Sequence, residues 1–294
     1  MRLRLGTRGS RLALIQSGLV AARLRQAGHE VDLVPIVTEG DLRPADMSPG
    51  EGVFVGELER ALLAGDIELA VHSAKDVPLE ESADILIAAY PERADARDAL
   101  VTREGGRAIG DLPAAATVGT DSPRRTGFVR AIRPDLRVVP LHGNVDTRLR
   151  RLDEGTVDAL VIAAAGVDRL GLATRIDARL DPGEVAPAPG QGALAVQARS
   201  SDVRTVQAVA AIDDPEVRFA VELEREVLKA TGGTCRAPVG ALAALSDGEF
   251  ELIVAGVNSD GSGRRVEVIH GDRREAVGLA RRAGLRLVAA VALR

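Results

Sequence analysis

The fold is decided by residues 2–37, RLRLGTRGSRLALIQSGLVAARLRQAGHEVDLVPIV, which predict a strand, a helix and a second strand in succession. Arg2–Leu5 and Val31–Val37 are apolar-rich segments typical of strands. The segment from about Ser10 to Ala27 carries apolar side chains at helical spacing, namely Leu12, Ile15, Leu19 and Leu24. A strand, helix and strand in this order are typical of a parallel sheet covered by helices.

The same alternation continues along the chain. Val53–Ala64 predicts a second helix and Ile67–Val71 a third strand. A second run begins near Asp98, with strands predicted at 117–118, 136–141 and 159–163 and helices from Pro123, Val145 and about Val167. We therefore expect two similar α/β domains with mostly parallel sheets, helices on both faces and a cleft between the domains.

The last part of the chain has a different pattern. Pro187–Gly192 is rich in Pro and Gly, which predicts a crossover or hinge. After a helical stretch from Pro215 to Lys229, three antiparallel strands are predicted at 239–245, 249–257 and 265–269, followed by a helix at about 273–292. The predicted domains are residues 1–95 with 193–212, residues 98–187, and a small α+β domain at 215–294.

Composition excludes several classes of protein. The chain has 294 residues, a net charge of −5, 2% aromatic residues and no Trp, so a nucleic-acid partner is not expected. No apolar run is long enough for a membrane span, and the sequence MRLRLGTRGS lacks a signal-peptide core. With a single cysteine, these features predict a cytoplasmic protein. The four histidines are scattered without ligand spacing, so no metal site is expected.

Arginines cluster where helices are predicted to begin. Arg124 and Arg125 follow Gly119-Thr120-Asp121-Ser122-Pro123, in the first turn, where the helix dipole disfavours cations. Arg8 and Arg148 stand in similar strand-to-helix turns. One such arginine is usually a solvated surface charge, but three equivalent clusters favour a bound ligand with several carboxylates or phosphates.

Two further motifs leave alternatives open. In His72-Ser73-Ala74-Lys75-Asp76, the last two residues form either a surface ion pair or a catalytic carboxylate held ionised by basic neighbours. Cys235 lies in the glycine-rich segment TGGTCRAP. It is a buried small hydrophobe, a reactive thiol or a covalent attachment point.

Six motifs, GTRGSRLALIQ, VHSAKDVP, GTDSPRR, HGNVDTRL, PAPGQGALAV and TGGTCRAPVG, occur in an order and spacing that resemble the porphobilinogen deaminase (hydroxymethylbilane synthase) family. The resemblance covers nearly the whole chain. It implies two α/β domains folded like type II periplasmic binding proteins and a third, smaller domain. It also implies that four porphobilinogen units are joined, with loss of ammonia, on a dipyrromethane cofactor, and that hydrolysis then releases hydroxymethylbilane.

The resemblance assigns roles to particular residues. Asp76 matches the catalytic aspartate, which would bind pyrrole N–H groups and stabilise the cationic azafulvene formed as ammonia leaves. The implied cofactor-binding residues are Cys235, through a thioether, and Ser73, Lys75, Thr120, Ser122, Arg124, Arg125, Asn144, Arg148 and Asp41. The implied substrate-binding residues are Arg8, Ser10, His142, Arg148, Arg169 and Gln191. A monomer with no metal is expected.

The sequence departs from the family pattern at a few positions. His142-Gly143-Asn144 stands where Arg-Gly-Asn is usual, which removes one fixed positive charge. Further departures are Glu39, Glu51, Gly56 and Thr234. The alternative function is a non-catalytic, two-lobed binding module for a polycarboxylate, which would need neither Asp76 nor Cys235. A phosphate-binding transferase would be expected to carry a phosphate loop, and the sequence has none.

Overall fold

The computed structural model of the chain describes residues 1–38, 55–80, 82–234, 237–246 and 248–291. The chain divides into two compact units. Unit 1 comprises Met1–Ala94 and Ala193–Phe219, and unit 2 comprises Asp95–Gly192 and Ala220–Arg294. The chain therefore passes from one unit to the other three times. The three-domain division with its boundaries at 95, 98, 187, 193, 212 and 215 stays a prediction.

The strands, in chain order, are β1 (Arg2–Arg8), β2 (Glu30–Ile36), β3 (Leu69–Ser73), β4 (Ile85–Ala89), β5 (Asp98–Thr102), β6 (Thr117–Gly119), β7 (Arg137–Val139), β8 (Ala159–Ala163), β9 (Ala178–Arg179), β10 (Leu194–Arg199), β11 (Val239–Ser246), β12 (Glu249–Gly256) and β13 (Arg265–Asp272). The α-helices are α1 (Arg11–Gln26), α2 (Gly56–Ala64), α3 (Pro123–Ile132), α4 (Val145–Asp153), α5 (Ala164–Arg169), α6 (Val203–Ala210), α7 (Pro215–Ala230) and α8 (Ala276–Ala290).

Unit 1 contains a five-stranded sheet in the order β2-β1-β3-β10-β4. β1 pairs in parallel with β2 and β3, whereas β10 runs antiparallel to both β3 and β4. Apolar side chains of β3 alternate between two cores: Leu69 and Val71 pack with α1 and α6, and Ala70 packs with α2. The predicted mostly parallel sheet with helices on both faces is confirmed, with one reversed strand added.

Unit 2 repeats this arrangement in the order β7-β6-β8-β5-β9. Its reversed strand is β5, which pairs antiparallel with β8 and β9 and again stands fourth in the order. Val161 of β8 belongs to a core with α3, and Leu160 belongs to a core with α4 and α5. The two α/β units therefore share one topology, as the alternating pattern predicts.

The C-terminal sheet is a three-stranded antiparallel meander, β11-β12-β13, as predicted. α8 packs on β12 and β13. Ala255 and Val257 lie in the core of unit 2 that also contains Phe128 of α3. The sheet is thus held by apolar contacts with the α/β part of unit 2.

Helix ends follow local chemistry. The Ser10 hydroxyl accepts the Ala13 N–H at 3.3 Å and caps α1, and the Ser122 hydroxyl accepts the Arg125 N–H at 3.4 Å and caps α3, whose first residue is Pro123. α2 ends at Gly65, whose φ of +78° lies in the left-handed region that favours glycine.

The sequence pattern misses or misplaces several elements. β4, β5, β9, β10 and α6 are not among the predicted elements, and α5 begins at Ala164 rather than near Val167. Residues 53 and 54 of the second predicted helix lie outside the described ranges. Within the described ranges, no helix is both long and apolar enough to cross a membrane.

Candidate functional site

In unit 1, the predicted site residues lie where parallel strands end. Arg8 is the last residue of β1, Ser10 caps α1, and Ser73 is the last residue of β3. The Gln16 side chain, buried on α1, donates from Nε2 to Ser73 Oγ at 3.1 Å. This bond joins α1 to the end of β3, so it fixes the start of the turn that follows.

The Lys75-Asp76 pair lies in that turn, a single turn of 3₁₀ helix at Ala74–Asp76. Ala74 is buried and anchored by its N–H, which donates to the Ala193 carbonyl at 3.0 Å. Lys75 is half-buried and Asp76 is exposed. The anchored Ala74 therefore holds the turn in place, and the turn presents the Asp76 carboxylate to solvent. This position is at the carboxyl edge of the sheet, where α/β folds bind ligands.

His72, two residues before this turn, is buried in the sheet. Burial lowers the pKa of His72 to about 4, although its contact with Gln197 opposes that shift. Gln197 lies on β10 and donates to Glu59 of α2 at 3.0 Å. At neutral pH, His72 is therefore an uncharged part of the core beneath the Lys75-Asp76 turn.

In unit 2, the start of α3 contains a buried group of four side chains, Asp98, Arg124, Arg125 and Gln191, which we call the arginine cluster. Asp98 Oδ2 lies 2.7 Å from Arg124 Nη1. Asp98 Oδ1 lies 2.8 Å from Arg125 Nη2 and accepts Gln191 Nε2 at 2.9 Å. Asp98 has no exposed surface, and the two arginine side chains are 3% and 7% exposed.

Electrostatics keep this cluster ionised. Burial alone would raise the pKa of Asp98, but Arg124 and Arg125 outweigh it and hold the pKa well below its usual range. Burial lowers the pKa of Arg124, and Asp98 opposes that shift. A guanidinium keeps its proton in proteins, so the cluster contains two positive charges and one negative charge.

The predicted crossover or hinge segment, Pro187–Gly192, and the residue before it, Ala186, are tied to the arginine cluster and to the C-terminal sheet. Arg124 Nη1 donates to the Ala186 carbonyl, and Ala241 N–H donates to the Pro187 carbonyl at 2.9 Å. Buried Glu224 accepts the N–H groups of Gly190 at 2.7 Å and Ala243 at 2.8 Å. The segment is thus pinned within unit 2, and the chain enters unit 1 immediately after Gly192.

His142 lies beside an acidic residue, Asp121. Its Nδ1 is 2.9 Å from Asp121 Oδ1, and the two side chains are 13% and 14% exposed. Asp121 follows β6 and His142 follows β7, and these two strands pair in parallel. The pair therefore lies at the same sheet edge as the start of α3.

The remaining predicted residues of unit 2 lie near this edge. Thr120 is buried next to Ser122, and Asn144 precedes α4. Arg148 donates from Nε to the Gly143 carbonyl at 2.9 Å, and Arg169 donates from Nη2 to the Gly192 carbonyl at 2.8 Å. The structure thus brings Arg124, Arg125 and Gln191 into one cluster and links Arg169 to the residue that follows Gln191.

Some predicted positions lie outside the described residues. These are Asp41 and Cys235, together with Glu39 and Glu51 and the loop from 42 to 52. Among the residues that the structure does describe, no three His, Cys, Asp or Glu side chains are placed to hold a metal ion.

Three features of the site are not among the sequence-based predictions: Asp98, Asp121 as a partner of His142, and Gln16. Asp98 had a detectable signal, because it opens the apolar run Asp98-Ala99-Leu100-Val101, and a carboxylate in a buried strand requires a cationic partner. The partner itself was not detectable, because Arg125 is 27 residues away in the chain.

The family models and the curated relatives that match this chain agree on one family. The family model described as "Porphobilinogen deaminase, dipyromethane cofactor binding domain" matches residues 3–207, and "Porphobilinogen deaminase, C-terminal domain" matches residues 218–289. A porphobilinogen deaminase of Acidothermus cellulolyticus is 45% identical over 98% of this chain and 89% of its own length. One of Roseiflexus sp. is 46% identical over 94% and 92%. Among solved structures, the methionine binding protein MetQ matches with a TM-score of 0.48 and 14% identity, over 74% of this chain and 92% of that chain.

Proposed function

This chain belongs to the porphobilinogen deaminase family, and we propose that it is the transferase that joins four porphobilinogen units head to tail with loss of ammonia. The units are added to a covalently bound dipyrromethane primer, and hydrolysis releases hydroxymethylbilane. The protein thus acts in tetrapyrrole and haem biosynthesis, with porphobilinogen as its small-molecule substrate.

The described residues of unit 2 fit a cofactor that carries carboxylates. The arginine cluster holds two guanidinium groups against one carboxylate, and each arginine keeps some exposed surface. Guanidinium groups match carboxylates in bidentate geometry. This buried excess of positive charge, within the residues that match the cofactor-binding model, is the observation that carries the proposal.

In this proposal, polar and basic side chains hold the cofactor and substrate carboxylates. When bound, the dipyrromethane supplies the pyrrole carbon to which the first unit is attached. The residues proposed for the cofactor are Ser73, Lys75, Thr120, Ser122, Arg124, Arg125, Asn144, Arg148 and Asp41, and those proposed for the substrate are Arg8, Ser10, His142, Arg148, Arg169 and Gln191.

Asp76 is the proposed catalytic residue. Its carboxylate accepts hydrogen bonds from pyrrole N–H groups and stabilises the positive charge that develops as ammonia leaves. The exposed position of Asp76 on an anchored turn supports this role, since a carboxylate that meets substrate has to be accessible and oriented. Cys235 is the proposed thioether attachment point, and the protein is proposed to be a cytoplasmic monomer.

Intact-mass measurement of the purified protein tests the cofactor. We expect native protein to carry the added mass of two linked pyrroles, and Cys235→Ser to abolish that addition. Thr234→Ser, a change at the neighbouring position, should retain it as a control. An unmodified mass for folded wild-type protein would contradict the proposal.

Ammonia release from porphobilinogen tests the catalytic role. Asp76→Ala should remain folded and lose nearly all ammonia release, at least about a hundredfold, because no other group replaces the carboxylate at the developing charge. Glu80→Ala removes an exposed carboxylate four residues later and should leave the rate near that of the wild type. Substantial turnover by Asp76→Ala would reject the role of Asp76 and would leave the binding-module alternative to be tested by ligand affinity.

A further inference from the structure

Asp98 is a residue of the arginine cluster that no ligand could touch. Asp98 has no exposed surface, yet it contacts both arginines that we propose for the cofactor. Its Oδ2 faces Arg124, and its Oδ1 accepts Arg125 Nε at 3.0 Å. Any effect of Asp98 on a ligand must therefore pass through the two guanidinium groups.

Gln191 also helps to fix the orientation of Asp98, at the same carboxylate oxygen that Arg125 contacts. The Gln191 amide donates from Nε2 to both Asp98 Oδ1, at 2.9 Å, and the Ala96 carbonyl, at 2.7 Å. Its Oε1 accepts Arg125 Nη2 at 3.2 Å. The Gln191 amide forms hydrogen bonds with both the Asp98 carboxylate and the Arg125 guanidinium. Neither Asp98 nor Arg125 can therefore rotate without breaking a buried hydrogen bond.

The charges of the cluster do not cancel. Among the described residues, Asp98 is the one carboxylate within ion-pair distance of Arg124 or Arg125, so two positive charges face one negative charge. A buried net charge is unfavourable unless a counter-charge approaches it. The 3% and 7% of exposed side chain on the arginines are the surfaces at which a ligand carboxylate could supply that counter-charge.

We propose that Asp98 is a positioning residue for this arginine pair: it holds both guanidinium groups in one orientation and leaves one net positive charge for a carboxylate of the cofactor. Gln191 acts in the same way: it has no exposed surface, so the substrate role proposed for it above would be exerted through Arg125 and Asp98, which it bonds. This inference rests on the proposed function, because it takes the dipyrromethane as the ligand that supplies the carboxylate.

A purely structural role for Asp98 makes a different prediction. If the cluster only stabilised unit 2, a variant would lower the amount of folded protein, but the molecules that do fold would carry the cofactor in the usual proportion. A positioning role predicts that folded molecules carry less cofactor. The two roles are therefore separated by reading the adduct within the folded population.

The variant Asp98→Asn keeps the shape of the side chain and removes its charge. Native mass spectrometry distinguishes folded from unfolded molecules and reports the added mass of two pyrroles in each. We expect the loaded fraction of folded Asp98→Asn to fall at least about tenfold, as is common when a group that orients ligand-binding side chains is removed. In the molecules that remain loaded, KM for porphobilinogen should rise more than kcat falls.

Two further variants complete the test. Gln191→Leu keeps both ion pairs and removes the amide hydrogen bonds, so it should reduce loading in the same direction by a smaller factor, even if Asp98→Asn fails to fold. The matched control is Asp177→Asn, which changes a carboxylate of unit 2 that accepts the N–H groups of Thr102 at 2.6 Å and Gly106 at 2.5 Å. It should lower stability and leave loading unchanged.

The outcomes are distinct. Folded Asp98→Asn or Gln191→Leu that carries the adduct in the wild-type proportion, with an unchanged KM, would overturn the positioning role. An unmodified mass in the wild-type protein would instead overturn the proposed function.

Discussion

The five-stranded sheets of unit 1 and unit 2 share one topology, but the first residue of the reversed strand differs in charge between them. In both, the reversed strand begins opposite the last residue of the third strand: Leu194 faces Ser73 in unit 1, and Asp98 faces Ala163 in unit 2. Leu194 lies in an apolar core, whereas Asp98 lies between two arginines. The shared topology therefore places Leu194 and Asp98 at equivalent positions, but it does not determine whether the residue there is apolar or charged.

The two units also keep their buried polar groups in opposite states. His72 of unit 1 is neutral because burial disfavours its charged form, and Asp98 of unit 2 is ionised because two guanidinium groups outweigh burial. The proposed catalytic carboxylate of unit 1, Asp76, is exposed to solvent, whereas the charged side chains of the arginine cluster in unit 2 are buried. A fixed charge that must meet an anion benefits from burial, since water screens it less there.

The largest loss of stability should come from replacing Asp98, the charged residue of unit 2, with the leucine that unit 1 has at the equivalent position. Asp98→Leu leaves the guanidinium groups of Arg124 and Arg125 without a counter-ion. The unfolding free energy of unit 2 should therefore fall by about 3–5 kcal/mol. Amide hydrogen exchange, read separately for each unit, measures the change. Asp32→Leu, at the exposed pair with Arg2, should change the unfolding free energy far less, because water screens an exposed ion pair. Unchanged protection in unit 2 would contradict the account of the cluster.

Acid should affect unit 1 first. The folded pKa of His72 is about 4 and its unfolded value is 6.5, so between these values the unfolded chain binds more protons. The unfolding free energy should therefore fall as pH drops from about 6.5 to about 4, by about 3 kcal/mol in all. His72→Gln should remove this pH dependence, whereas His270→Gln, at an exposed position, should retain it. Because the pKa of Asp98 is lowered in the folded protein, its contribution to the unfolding free energy is present above pH 3.8 and should be lost only at lower pH.

A smaller effect should follow from crowding the segment that holds Arg124. A Cβ on Gly240 would lie 2.5 Å from Ala186 Cβ and 2.6 Å from the carbonyl oxygen that accepts Arg124. Gly240→Ala should therefore cost about 1–3 kcal/mol and displace β11 from that segment. Gly278→Ala on α8 meets only the end of the Arg282 side chain, at 3.4 Å, and should gain up to about 1 kcal/mol. Thermal unfolding compares the two, and equal effects would contradict the packing argument.

The smallest effect concerns the pair of His142 and Asp121, which has no counterpart described in unit 1. His142→Arg replaces a titratable group with a permanent charge beside Asp121 and should raise kcat/KM for porphobilinogen by up to about fivefold. His270→Arg changes the same residue type on the C-terminal sheet and should have no effect. An unchanged kcat/KM for His142→Arg would mean that other side chains already supply the charge.

Much of the α/β architecture could be predicted from sequence because its signals are local. Helical spacing predicts α1, and short apolar segments between helices predict β1, β2, β3 and β8. β5 and β10 are buried strands of similar length that were not predicted, because a short apolar run cannot be told from a segment of buried helix by its pattern alone. Their reversal depends on pairing with strands far away in the chain, which no local pattern records.

The candidate site divides in the same way. Arg124 and Arg125 could be predicted because an arginine pair in the first turn of a helix is locally unfavourable. Asp98 could not be joined to them, because the contact requires β5 to lie beside β8 and the Gln191 segment to return to the same place. Gln191 was predicted as a substrate-binding residue, and its burial within the cluster leads us to propose a positioning role.

The position of β10 has a consequence for synthesis of the protein. β10 separates β3 from β4 in the sheet of unit 1, but in the chain it follows the whole segment Asp95–Gly192. The ribosome therefore makes every α/β strand of unit 2, through Arg179, before it reaches Leu194. Until β10 emerges, β3 and β4 lack their shared partner and β4 has no neighbour in the sheet. The α/β sheet that is begun first is therefore completed second, and the nascent N-terminal segment waits with an open sheet edge, which is where a nascent chain is most prone to wrong pairing.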